Sequence, residues 1–385
     1  MKAEMTPRER VMTALSLQEP DRVPIDLGQA AGDAITVTAY QNLIKHLGFP
    51  ERPINILTKL AQTAIVDEDV LHRFRVDFRR LDLGPPDNWK DEPIGEDSYR
   101  DEWGVVRTRP KEGYYYDLTG SPLSEDDSMT AIANHKWPNP EDPGRYRGLR
   151  EKARKLHEET DYAIVLQVNC AFFLRCAELR GWENFYMDLA ANPTFASALM
   201  ERYLDIRLRM AERALEKVDD NIDIVVVSSD DLGMIDRTIV SPQMYRELIK
   251  PLQRRTFEFF KNRTPAKRFY HCDGAVYPLI EDFIEIGVEA LNPIQVSAAG
   301  MGDTKRLKAE FGDRLAFWGA IDTRDVLPHG SPEDVRKEVQ GRIKDFGPGG
   351  GYVVCSVHNI QPEVPPENVV AMFDTAYELG RYPLR

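Results

Sequence analysis

Cysteine is scarce. The chain has four, Cys170, Cys176, Cys272 and Cys355, and no two form a C-x-x-C pair. In a chain of this length that is no disulfide framework, and a reducing compartment is expected. Positive charge is also in deficit, with 50 Lys and Arg against 63 Asp and Glu and a net charge of −13. A nucleic-acid partner needs a basic face to neutralise phosphates, so none is expected. No stretch approaches the roughly 20 apolar residues that span a bilayer. Met1–Glu19 is charged and lacks the apolar run of a signal peptide. A soluble, cytoplasmic protein with no membrane partner follows. Walker A, G-x-S-x-G and H-E-x-x-H motifs are missing too, and no G-x-G-x-x-G turn follows the first strand-like segment.

What is present is an ordinary globular composition, 42% hydrophobic and 29% charged over 385 residues. Short β-rich runs alternate with helical stretches. The strand candidates are Arg22–Leu27, Phe78–Leu83, Ala163–Val168, Ile222–Ser228, Arg268–Cys272, Val288–Asn292, Leu315–Gly319 and Tyr352–Cys355. Helices are expected over Thr6–Leu17, Asn192–Lys217, Pro242–Asn262, Val276–Ile286, Thr304–Glu310, Ser331–Phe346 and Pro366–Leu379. Thr6-Pro7 and Ser241-Pro242 each read as a cap followed by an N1 proline. Strands separated by helices imply parallel βαβ units, and several strands are apolar throughout, as burial on both faces demands. Eight units predict an α/β fold, a single (β/α)8 TIM barrel over residues 1–385. An open doubly wound sheet is the alternative, disfavoured by the missing glycine-rich turn.

One segment interrupts the alternation. Pro85–Pro143 is polar and aromatic, and Gly104–Arg109 followed by Gly113–Leu118 reads as a hairpin. We expect residues 84–143 to be an excursion after the second strand. Its aromatic residues serve either a lid or simple packing on the barrel wall.

In such a barrel the chemistry sits at the C-terminal strand ends. Asp230 and Asp231 follow the fourth strand, and His271-Cys272-Asp273-Gly274 the fifth. Asn292 to Gln295 follow the sixth, Asp322 the seventh, and Ser356 to Gln361 the eighth. Asp230 reads equally well as a cap for the next helix. Alternation places His271 and Asp273 on one face and Cys272 on the other. With His358 from the eighth strand, an imidazole and a carboxylate on one face suit zinc. The alternative is that they bond each other and the loops without a metal. Cys355, Cys170 and Cys176 read as buried structural cysteines.

Several motifs together carry a resemblance. They are Thr6–Leu15 (TPRERVMTAL), Pro20–Pro24 (PDRVP), Ser241–Tyr245 (SPQMY) with Lys250-Pro251, and Tyr270–Gly274 (YHCDG). Leu291–Gln295 (LNPIQ), Trp318–Thr323 (WGAIDT), Gly349–Tyr352 (GGGY), His358–Pro362 (HNIQP) and Pro365–Asn368 (PPEN) complete the set. The chain resembles the uroporphyrinogen decarboxylase superfamily over nearly its whole length, most strongly from about residue 220 onward. That resemblance implies a TIM barrel and one of two chemistries. These are decarboxylation of uroporphyrinogen, or zinc-assisted methyl transfer between a small methyl compound and a corrinoid protein. Family members are often homodimers.

Departures from the family patterns choose between the two. True decarboxylases carry an RQAGRY motif after the first strand, and here Leu27–Asp33 reads LGQAAGD, without either arginine. Arginine's bidentate fork is not readily replaced for a polycarboxylate substrate, and Arg79 and Arg80 near the second strand end are not assumed to substitute. The zinc methyltransferases carry His-x-Cys after the fifth strand and a further Cys after the eighth. Here Asp273 and His358 stand at the two Cys positions, with Cys272 one place out of register. The resemblance therefore implies a methyltransferase of the O-demethylase type. Its metal site would draw on His271, Asp273, His358 and Cys272, with catalytic roles for His358, Asp231 and Asp322. Asn292, Gln295 and Gln361 would orient substrate, and Tyr270, Phe172 and Phe173 would form walls or plain core. No D-x-H-x-x-G signature of a corrinoid-carrying domain is present, so the corrinoid is expected on a separate protein, with a small methyl donor as the other partner. A metal-free decarboxylase and a non-catalytic binding barrel remain as alternatives.

Overall fold

Strands that are apolar on both faces must be covered on both, and the chain meets that demand by curling one parallel sheet around an inner core and wrapping helices outside it. The computed structural model describes residues 4–111 and 113–384. Two short strands, β1 (Ile56–Thr58) and β2 (Thr63–Ala64), form a hairpin near the start. The main sheet then uses β3 (Phe78–Asp82). After it come β4 (Glu92–Gly95), β5 (Ser98–Arg100), β6 (Val106–Thr108) and β7 (Asp117–Gly120), a separate four-stranded antiparallel sheet. The main sheet resumes with β8 (Ala163–Gln167), β9 (Ile224–Ser229), β10 (Lys267–His271), β11 (Ala290–Asn292), β12 (Ala316–Ile321) and β13 (Tyr352–Ser356). Among the described residues its seven strands are all parallel, in the order β3-β8-β9-β10-β11-β12-β13. This is an α/β, TIM-barrel-like architecture.

Register and alternation sort the side chains. Phe78, Ala163, Val165, Ile224, Val226, Phe269, Ala290, Trp318 and Val353 form one buried cluster inside the curl. The helix Pro7–Leu15 adds Val11 and Leu15 to that cluster. It is held by a capping box in which the Thr6 side chain and Glu9 satisfy each other's backbone N–H. The intervening residues, such as Leu166, Val227, Tyr270, Leu291 and Phe317, face the helices. Each fully buried large apolar side chain contributes roughly 1.5–3 kcal/mol. The expected helices are present, at Pro193–Val218, Lys250–Lys261, Ile280–Ile286, Thr304–Phe311, Pro332–Phe346 and Pro366–Leu379. Among the described residues no helix is long and apolar enough to cross a membrane.

One expectation needs correction. Arg22–Leu27 does not form a ladder. It makes a single parallel bridge, Ile25 with Val354. Pro24 has no N–H to give, and the N–H of Ile25 donates to the Asp77 carboxylate at 2.8 Å rather than to a strand. The segment still lies between the two ends of the sheet. Val354 N donates to Pro24 O, Asp26 N to Val354 O, and Asp77 N to Ile25 O. Within residues 85–143 the expected hairpin is present. The hairpin of β6 and β7 pairs Thr108 with Asp117 and Arg107 with Leu118. A second hairpin, β4 with β5, had no turn signal that stood out in the sequence.

Candidate active site

β10 ends at His271, and the same alternation that turns Phe269 inward turns His271 inward one layer higher. Asn292 ends the neighbouring β11 opposite it, in register with His271. His271 Nδ1 and Asn292 Oδ1 are 2.5 Å apart, and Asn292 is itself pinned by donating to Trp318 O at 3.2 Å. Asn292 offers an acceptor there, so Nδ1 carries a proton and Nε2 is left to hold either a second proton or a metal ion. Nε2 faces two carboxylates, Asp273 Oδ2 at 3.3 Å and Asp231 Oδ1 at 3.8 Å. Asp231 also accepts from Asp273 N at 2.9 Å, which locks the β9 and β10 loops together. Asp231, His271 and Asp273 each offer a ligand atom within 4.8 Å of the others. His358 stands at the rim, half-exposed, with Nε2 3.7 Å from Asp273 Oδ2.

The electrostatics follow from this crowding. Burial pulls the His271 pKa down, but Asp273 and Asp231 outweigh it and hold it at about 9. Burial, then the charge of Asp273, push Asp231 up to about 7. Burial acts to raise Asp273, yet His271 and His358 hold it below the usual carboxylate value. Beneath the cluster, burial and the adjacent Asp26 push Asp33 well above its ordinary value. The nearby Cys355 thiol is likewise pushed up by burial.

The donor set fits a metal ion on one further observation. Asp273 Oδ1 is buried and has no hydrogen-bond partner among the described residues, which in a native site calls for an explanation such as an ion. An imidazole whose other nitrogen is held by a side-chain oxygen, beside two carboxylates, is a donor set that zinc accepts.

The other expected site residues divide. Gln295 lines the same pocket, a cavity of about 330 Å³ with His358, Asp273, Arg324 and Met234, and accepts from Gly274 N at 2.7 Å. Gln361 donates to the Tyr115 hydroxyl, tying the antiparallel insert to the loop after β13. Asp322 is used up as a loop cap, accepting from the N–H groups of Arg324, Asp325 and Val326. Cys272 faces away from the cluster, its sulfur accepting from Leu232 N at 3.3 Å. Tyr270 lies in the helix-facing core, donating to Asp230 O and accepting from Gln253. Phe172 and Phe173 are core as well. Asp230 is a brace, accepting from Phe172 N and Leu174 N. Arg79 and Arg80 are paired with Glu68 and Asp82.

One residue escaped the sequence reading. Gly32 sits at φ +82°, and a Cβ there would lie 2.1 Å from His271 Cε1. The loop that lacks the two arginines therefore presses backbone onto the imidazole, and its one available signal was a glycine in a short strand-end loop.

The family model of uroporphyrinogen decarboxylase (URO-D) matches residues 118–379, a span that includes Asp231, His271, Asp273 and His358. The chain belongs to the uroporphyrinogen decarboxylase family. Among curated relatives, the uroporphyrinogen decarboxylase of Alkalilimnicola ehrlichii is 41% identical over 69 residues, 18% of this chain and 18% of the relative. That of Thioalkalivibrio sulfidiphilus is 31% identical over 146 residues, 37% of this chain and 39% of the relative. The aligned stretches thus span well under half the length of these relatives. Among solved structures, a methyltransferase from Methanosarcina mazei superposes with a TM-score of 0.64 at 18% identity, over 97% of this chain and 99% of the other. That likeness is one of fold. Within the family, the His271 cluster lies where a barrel enzyme keeps its chemistry.

Proposed function

We propose that this chain is a cytoplasmic, zinc-dependent methyltransferase that moves a methyl group between a small methyl donor and a corrinoid carried on a separate protein. The observation that carries the reading is the cluster of Asp231, His271 and Asp273 with its unpartnered, buried Asp273 oxygen. Asp231 enters as a ligand in place of Cys272, and His358 stands at the open side, next to the pocket. A zinc ion held there supplies Lewis acidity to the oxygen or sulfur from which the methyl leaves. The chain's own residues do the rest. Asn292 fixes the His271 tautomer, Gln295 steadies the Asp273-Gly274 turn, and His358 is placed to hold a proton for the leaving atom. The four free, buried thiols agree with a reducing compartment. In the same reading residues 22–27 are the eighth stave of a closed barrel, supported by their bonds to Val354 and Asp77. Residues 1–385 are then one domain, with residues 84–143 inserted.

Elemental analysis of the purified protein beside Asp273→Ala is the test. About one zinc per chain is expected, lost in the variant, followed by methyl-donor turnover with a cobalt(I) corrinoid. No metal in either protein after zinc is supplied would remove this reading. A second reading, metal-free decarboxylation, is favoured by one observation: His271, held cationic up to about pH 9, would itself be the electrophile among the carboxylates. It predicts activity that persists in the presence of a chelator.

A further inference from the structure

A second cavity, about 370 Å³, opens between the antiparallel insert and the loop that follows β8. It shares no lining residue with the pocket at His358. Its size is within the range of small-molecule sites, about 300–1,000 Å³. Its walls are aromatic. Trp103 stacks on Tyr203 with ring centroids 4.3 Å apart, and Tyr99 lies alongside, its ring face covered by Lys59 Nζ at 3.4 Å.

The charges on these walls do not cancel. Lys59 is matched by Asp91 at 3.0 Å. Arg107 Nη2 and Arg175 Nη1 both donate to one atom, Glu178 Oε2, at 2.8 and 2.7 Å. Arg107 also reaches Asp101 at 3.6 Å. Arg175 makes no other hydrogen bond among the described residues, so the rest of its planar fork is unused. Arg207 meets no carboxylate among the described residues either. It donates to the backbone carbonyls of Val168 and Asn169 at the end of β8. Three guanidinium groups, of Arg107, Arg175 and Arg207, therefore share two carboxylates at an aromatic cavity, in a chain whose net charge is −13. A guanidinium fork matches a carboxylate in geometry and charge, and aromatic faces match a flat ring.

We infer that this cavity is a binding site for a small aromatic carboxylate, its ring against Trp103 and Tyr203 and its carboxylate on the free fork of Arg175, with Arg207 adding charge. The site stands on its own lining and does not depend on methyl transfer.

Calorimetric titration with benzoate tests it, with acetate, cyclohexanecarboxylate and benzamide as comparison probes. Benzoate is expected to bind at one site per chain, and each comparison probe, lacking the ring, its flatness or the charge, about tenfold more weakly or worse. Arg175→Met should weaken benzoate by a similar factor. Arg107 remains on Glu178 in that variant, so the buried carboxylate keeps a partner. Should Arg175→Met lose stability, Arg175→Lys keeps the charge without the fork and is expected to fall between the two. His271→Ala should bind benzoate as the parent does, which separates this site from the metal cluster. Absence of binding at millimolar benzoate, equal affinity in the parent and both Arg175 variants, or loss of binding on His271→Ala would each overturn the assignment.

Discussion

Gly32 and His271 meet so closely that neither is free to change alone. A Cβ at residue 32 would occupy the place of the imidazole edge, and a left-handed φ of +82° strains any side chain there. Gly32→Ala is therefore expected to cost about 1–3 kcal/mol. It should also tilt His271 off Asn292, so zinc retention falls together with the melting temperature. A variant that melts earlier but keeps its metal would show the loop yielding instead of the ring. The two halves of this contact were unequally legible. His271 and Asp273 stood out in the sequence because strand alternation is a rule of period two. Cys272 followed from the same rule as a helix-facing residue, whereas Tyr270 was read only as a candidate wall or plain core. Gly32 carries no chemistry of its own, and only the fold shows what lies above it. Asp322 misled for the opposite reason, since a carboxylate at a strand end serves a loop as readily as a substrate, and its oxygens are committed to backbone N–H groups.

At the scale of elements, one buried ion-pair cluster helps to fasten the antiparallel insert. Arg107 in β6 pairs with Glu178 on the helix Phe173–Arg180, and Leu123 N donates to Leu179 O. Burial works to raise the Glu178 pKa, but Arg175 and Arg107 prevail and hold it below its ordinary 4.5. A carboxylate depressed in the folded state stabilises fully above its unfolded value. Its contribution is lost as pH falls through the lower, folded one. The backbone amides of β6 and β7 are therefore expected to lose hydrogen-exchange protection below about pH 4.5, before those of β8 and β9 do. In Glu178→Gln that difference should vanish. Parallel protection loss in all four strands of the parent would refute the fastening. This insert was only half visible beforehand. The β6–β7 hairpin had Gly113 at its turn, whereas β4 and β5 are short, and short strands leave little pattern to read.

Across the whole molecule, one buried carboxylate gathers the floor of the barrel. Asp77 is fully buried and takes Arg10 at 2.7 Å, Arg22 at 2.8 Å and the N–H of Ile25. Removing it leaves buried Arg22 without a carboxylate, while Arg10 keeps only Asp21, and Asp77→Ala is expected to cost about 3–5 kcal/mol in chemical denaturation. A loss below about 1 kcal/mol would mean that water reaches those arginines after the substitution. Seven of the eight expected strands are present, several of them readable because parallel strands buried on both faces are apolar throughout, although β3 and β10 carry charged residues. The segment around Pro24 passed for an eighth by composition, but its backbone groups are shared between the two ends of the sheet and the Asp77 side chain.

That shared segment also has a bearing on how the protein is made. Pro24 and Asp26 bond to Val354, Val23 N donates to Gly380 O, and Tyr382 N donates to Asp21 O. During synthesis residues 21–26 leave the ribosome long before Val354, Gly380 and Tyr382, their partners. Until then the apolar faces of Val23 and Ile25 and both borders of the sheet stand exposed to whatever chaperone is at hand.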